Sequence, residues 1–157
     1  MTRTEAPPRL AQVNIARLRF PLDSPQLADF VAGLEPVNAV ADAADGFVWR
    51  LQGYGDDATD LRIFGDEWML VNMSVWRDVD SLTAFMYAGQ HRDLLRRRRE
   101  WFEKLDRAVT ALWWVPADHT PDVPEAEKRL RHLYEHGPTP YAFTLRDTFA
   151  PEDPGHA

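Results

Sequence analysis

The chain switches between two hydrophobic periods, and the switches lay out its elements. Leu10–Leu18 has period two: Leu10, Gln12, Asn14, Ala16 and Leu18 fall on one side of a strand, and Ala11, Val13, Ile15 and Arg17 on the other. Ser24-Pro25 sets a capping hydroxyl before a proline at the first helical position, so a helix starts there and buries Leu27, Phe30, Val31 and Leu34. Pro36 should kink or end it near Glu35, leaving Val37–Ala44 as a second piece. Asp45-Gly46 then turns the chain into a short strand, Phe47–Gln52, and Gly53–Leu61 reads as a loop. Trp68–Trp76 is the most regular strand, with Met69, Val71, Met73 and Val75 opposite Trp68, Leu70, Asn72, Ser74 and Trp76.

Asp78 or Asp80 can cap the next helix, where Leu82, Phe85 and Met86 share one phase. From His91 onward the apolar stripe swings to the opposite side, which predicts a break at Gly89-Gln90 with glycine as the joint. Thr110–Val115 is a fourth strand, stopped by Pro116. Asp122 and Glu125 have capping-box spacing and open a helix carrying Ala126, Leu130, Leu133 and Tyr134. Gly137-Pro138 ends it, and Tyr141–Thr144 reads as a final edge strand. The order is β-α-β-β-α-β with an added C-terminal helix and strand. That is an α+β protein with a ferredoxin-like antiparallel sheet. Residues 10–149 form the single domain, between a flexible arm (1–9) and a disordered tail (150–157).

Helices in such a fold cover one face of the sheet, and the other face normally alternates with polar residues. Here Phe47-Val48-Trp49, Met69-Leu70-Val71 and Leu112-Trp113-Trp114-Val115 are apolar at consecutive positions. Both faces therefore need cover, either from a second copy of the chain in a homodimer or from the C-terminal helix and tail. The homodimer is the expectation.

Composition narrows the function by exclusion. The 157 residues carry a formal net charge of -7, which argues against nucleic acid as a partner. The absence of Cys removes disulfides, thiolate nucleophiles and thiolate metal sites, and fits a reducing, cytoplasmic setting. No apolar run approaches a membrane span, and neither a dinucleotide fingerprint nor a phosphate loop occurs. A small-molecule ligand is the partner that remains.

His91 is the candidate with chemistry to offer. At about 100° per residue it shares a side with Leu94, Leu95, Arg98, Trp101, Phe102 and Leu105, so its imidazole faces the apolar side of the helix. There it is either a general base or metal ligand, or a core histidine bonded to a carbonyl. Asn14 and Asn72 lie on neighbouring central strands and either orient a substrate or satisfy each other. Arg50 is read as a carboxylate partner for a ligand or for an Asp or Glu. Trp49, Trp76, Tyr87, Trp101 and Phe102 either wall a pocket or fill a core. Among Arg92 and Arg96–Arg99, only Arg98 shares the side of His91.

Several stretches carry a resemblance: Leu10-Ala-Gln-Val-Asn14-Ile-Ala, Gly46-Phe-Val-Trp-Arg-Leu-Gln52, His91 through Trp101-Phe102, and Ala111-Leu-Trp-Trp-Val-Pro116 followed by Pro124-Glu-Ala-Glu-Lys-Arg-Leu130. Over about Leu10 to Phe149 the chain resembles the dimeric α/β-barrel superfamily. That group includes antibiotic-biosynthesis monooxygenases, haem-degrading monooxygenases, chlorite dismutases and aldoxime dehydratases. Within it, the chain looks most like a bacterial family of unknown function. The resemblance implies oxidation or isomerisation of an apolar or aromatic molecule, either cofactor-free or with haem. In the haem-degrading members an Asn on the first strand, a Trp on a later strand and a ligating His on the second long helix are matched here by Asn14, Trp76 and His91, the last two more widely spaced. The alternative is a non-catalytic ligand-binding or stress-associated dimer.

Overall fold

The computed structural model describes residues 6–52 and 63–151, apart from the side chain of Gln90. Most of the expected arm, the loop Gly53–Leu61 and most of the expected tail lie outside the described residues. β1 (Arg9–Arg17), β2 (Phe47–Arg50), β3 (Met69–Trp76) and β4 (Thr110–Val115) form one antiparallel sheet in the order β2-β3-β1-β4. With β1 and β3 central, this is the ferredoxin-like order. The helices are α1 (Ala28–Ala43), α2 (Val79–Met86), α3 (Gly89–Arg96), α4 (Arg98–Trp101) and α5 (Val123–His136).

Side-chain alternation gives the sheet two different faces. Ala11, Val13, Ile15, Val71, Met73 and Trp113 form one buried cluster with Val123, Ala126, Leu130 and Leu133 of α5. Asp122 caps that helix, its side chain accepting from the Glu125 amide at 2.9 Å. The face expected to require a second copy of the chain is thus covered by α5. Its apolarity is no longer an argument for a dimer. The opposite face looks toward α1 and α2, where Leu10, Trp76 and Leu112 meet Ala41 and Leu82.

Four local expectations change. α1 continues past Pro36 without ending, even though proline removes one helical hydrogen bond. Burial of Leu27 before it and of Val37 and Ala41 after it holds the helix on the sheet. The break after α2 falls one residue before Gly89, at Ala88, which takes the extended conformation with ψ 144°. Gly89 has no positive φ, and a Cβ there would meet nothing within 4 Å, so the joint does not need glycine. A second break, at Arg97 (φ −96°, ψ 4°), divides α3 from α4. The C-terminal strand is a single bridge: Phe143 exchanges backbone bonds of 2.8 and 2.9 Å with Leu112, while Thr139 and Ala142 turn back on each other.

Glycine is needed at the turn into β2. Gly46 has φ 86°, and a Cβ there would collide with the Ser81 side chain.

Leu130 is fully buried between α5 and the sheet. Leu130→Ala should therefore cost about 2–5 kcal/mol of stability in urea unfolding. Val31→Ala, at an exposed position, should stay within about 0.5 kcal/mol of wild type.

Candidate active site

Between the sheet and helices α1 to α4 lies a cavity of about 440 Å³. That volume suits a small-molecule site. Strand register builds its floor. Leu10 pairs with Trp76, Gln12 with Ser74, Asn14 with Asn72 and Ala16 with Leu70, so two polar rows sit between two apolar ones. Asn14 also faces Thr110 across the β1–β4 ladder.

These polar groups are bonded sideways. The Gln12 amide donates to Asn72 Oδ1 at 2.9 Å and to Ser74 Oγ at 2.7 Å. Trp76 Nε1 donates to the same Ser74 oxygen at 2.8 Å, and Asn14 Nδ2 donates to Thr110 Oγ1 at 2.8 Å. Ser74 Oγ thus accepts twice and keeps its proton to give. Gln12 has both amide protons committed, which leaves its carbonyl oxygen as an acceptor on the cavity side.

Aromatic rings close both ends. At one end Trp76 stacks on Phe85 (5.1 Å, 26°) and meets Phe47 edge-on at 5.4 Å. At the other, Phe30 packs against Trp101 and Phe102 at 5.3 and 4.9 Å. Leu18 bridges to Phe102, which ties that end to the sheet.

His91 lines the cavity beside Phe85, ring centroids 5.1 Å apart. Its Nδ1 lies 3.1 Å from the Met86 carbonyl oxygen. A carbonyl only accepts, so Nδ1 carries the proton and the neutral ring holds its lone pair on Nε2. Nε2 has no hydrogen-bond partner among the described residues. Burial pushes the His91 pKa below its ordinary 6.5, opposed only by the bond to Met86. The ring is therefore a neutral base facing a hollow.

Of the expected site residues, His91, Asn14, Asn72, Trp76, Trp101, Phe102, Arg50 and Arg98 all line this cavity. Two do not. Trp49 packs against the α5-side cluster, because a bulge in β2 shifts register between Phe47 and Trp49 and turns its ring to the other face. Tyr87 is 71% exposed, because α2 ends at Met86 and leaves it in the turn. Arg50 forms a bidentate pair with Asp42 at 2.8 and 3.2 Å, which holds the Asp42 carboxyl below its usual range. Gln12, Ser74 and Thr110 also line the cavity, and strand parity alone places the first two beside Asn14 and Asn72. Arg99 and Arg107 line it too. Arg99 escapes a single-helix projection because the break at Arg97 resets the phase.

If haem were bound, His91 Nε2 would be the nitrogen to hold it, with the other nitrogen fixed on a carbonyl, and Arg98 and Arg99 would be the cations for its carboxylates.

The model of a domain of unknown function, DUF3291, matches residues 9–156. The chain belongs to the DUF3291 family. No curated protein matches it. Among solved structures it is similar to protein SO0527 from Shewanella oneidensis, at 7% identity and a TM-score of 0.51, over 71% of this chain and 95% of that one. It is also similar to SnoaB, a cofactor-independent oxygenase from Streptomyces nogalater (17% identity, TM-score 0.47, 73% and 97% covered). Rv0793 from Mycobacterium tuberculosis is a third (17%, 0.48, 72% and 99%). Likeness at this level concerns the fold alone. Among the described residues of this DUF3291 protein, no helix is long and apolar enough to cross a membrane, and no group of three or more His, Cys, Asp or Glu side chains could hold a metal ion.

A lowered histidine pKa has a definite sign. Above 6.5 both folded and unfolded chains hold His91 neutral, and its contribution to stability is fully present. As pH falls through the unfolded value toward the folded one, the unfolded chain binds the proton first and that contribution is lost. An NMR titration should give His91 a midpoint below 6.5. The stability lost between pH 7 and pH 5 should be smaller in His91→Phe than in wild type.

Proposed function

We propose that this DUF3291 protein is a small-molecule enzyme whose general base is His91. Its substrate is an apolar or aromatic molecule held between the ring-lined ends of the cavity. The observation that carries this is His91 itself: a ring fixed by Nδ1 on Met86 O, kept neutral by burial, with Nε2 free on a cavity wall. General bases work best when their pKa lies near ambient pH and they reach the proton directly.

The floor supports the same reading. Gln12 Oε1 can accept from a phenolic or enolic O–H, while the Ser74 and Thr110 hydroxyls have protons to donate to a carbonyl oxygen. Proton removal by Nε2 raises the electron density of such a substrate. Return of the proton at another carbon is isomerisation. Reaction of the anion with dioxygen is oxidation: a ring CH2 becomes C=O, the second oxygen atom leaves as water, and His91 gives the proton back. Neither route draws on a group outside substrate, dioxygen and this chain. If haem is held instead, it supplies oxygen activation, and the residues keep the positions described.

Oxygen uptake measured over a panel of naphthols and tricyclic phenols tests the reading. One or more should give saturable uptake, and His91→Ala should lower kcat about 10²–10⁴-fold while melting close to wild type. No uptake with any member overturns the oxidation route, no uptake together with no spectral change of any member overturns the enzyme, and an unaltered rate in His91→Ala overturns the assignment of the base. Saturable binding without turnover would instead assign a ligand-binding module. A Soret band on added haemin that disappears in His91→Ala would assign the haem version.

A further inference from the structure

The mouth of the same cavity carries charge of one sign. Five arginines and acids at its edge are accounted for differently. Glu103 is already neutralised by Arg17 at 2.6 Å, and Arg50 is paired with Asp42. Arg98, Arg99 and Arg107 line the cavity and have no carboxylate partner among the described residues. Of the arginines that do not line it, Arg97 bonds Asp29 and Glu100 at 2.9 Å, and Arg77 bonds Asp45 at 2.9 Å.

Local contacts hold the Arg98 side chain and the α4 backbone: Arg98 donates to the Leu95 carbonyl at 2.6 Å, and the Arg99 carbonyl accepts from Arg19 at 2.6 Å. Arg107 lies over the rings of Tyr134 and Phe64, at 4.7 and 5.1 Å, which pack with the α5-side cluster, so its guanidinium is engaged away from the cavity.

Resting on the active-site reading above, we infer that the ligand is an amphipathic organic acid: an apolar, ring-sized body in the cavity and a carboxylate at the mouth, bound by Arg98 and Arg99. The body fills the space between the two aromatic ends. The carboxylate stays at the edge, where partial hydration spares it full desolvation. A planar carboxylate suits the arginine fork, which offers two parallel donors.

Two dyes with the same aromatic body separate charge from shape. One is anionic, 8-anilinonaphthalene-1-sulfonate; the other is neutral, N-phenyl-1-naphthylamine. Fluorescence titration of the full chain should give a Kd about tenfold lower for the anionic dye, the sum of two partly solvated ion pairs. Raising salt from 20 to 500 mM should erase most of that advantage and leave the neutral dye unmoved. Arg98→Gln with Arg99→Gln, which disturbs no ring stack, should remove most of the advantage. A carboxylate analogue, 1-naphthoic acid, should displace the anionic dye, and 1-naphthol should do so less well. Equal affinity for both dyes, or an advantage that survives the double substitution, overturns the organic-acid assignment while leaving the His91 chemistry to its own test. Failure of both dyes to bind overturns this assignment and the cavity reading together.

Discussion

The site depends on one constraint: buried amides and hydroxyls in the middle of a sheet must find partners, and here they find one another. Gln12 and Trp76 both donate to Ser74 Oγ, and that arrangement requires Gln12 opposite Ser74 in the β1–β3 ladder. A slip of one residue would carry Val13 or Val75 to this face and send the polar groups against α5. The network therefore fixes the register, and the register fixes the floor. Aliphatic residues in the same rows would attract the helices and fill the space. Polar rows satisfied sideways do not, so the hollow above them survives folding.

Much of this was legible because period two is a strong signal. Alternation in Leu10–Leu18 and Trp68–Trp76 places Asn14 and Asn72 on one face, and that face lines the cavity. The inward side of His91 was legible for a similar reason, since its apolar neighbours recur at helical spacing. What failed to show were departures from period. The β2 bulge sends Trp49 away from Phe47, and no residue type in Phe-Val-Trp-Arg announces it. The break at Arg97 lies in a run of four arginines, each a good helix former, so propensity gives no warning. Cover of the second face was legible only as two alternatives. An apolar strand says that something covers it, and the same demand is met by a neighbour's sheet or by the chain's own α5.

Net charge is similarly uninformative about the site. A total of -7 describes the whole surface, whereas a ligand at the mouth senses charges within about one Debye length, roughly 8 Å at physiological salt. Within that distance pairing matters more than the count. Arg17, Arg50 and Arg97 are as cationic as Arg98, but their charge is spent on neighbouring carboxylates.

The two halves of the site differ in stiffness. β1 is packed on both sides, by α5 below and by the cavity residues above, and Leu10, Ala11, Val13 and Ile15 are at most 1% exposed. Groups anchored there are held in place before any ligand arrives, which is the condition for accurate orientation. The roof is different in kind: three short helices, Val79–Met86, Gly89–Arg96 and Arg98–Trp101, meet at breaks, and α3 buries none of its described side chains completely and has no side-chain cap. Elements with few buried contacts open at the lowest free energy. His91 stands on this looser side, five residues from the carbonyl that orients it and just past the joint at Ala88. The position of the base is thus coupled to how α3 seats on α1 and on the ligand. A ligand touching both Leu94 of α3 and the Gln12–Ser74 floor would fix the base at the distance its own size demands.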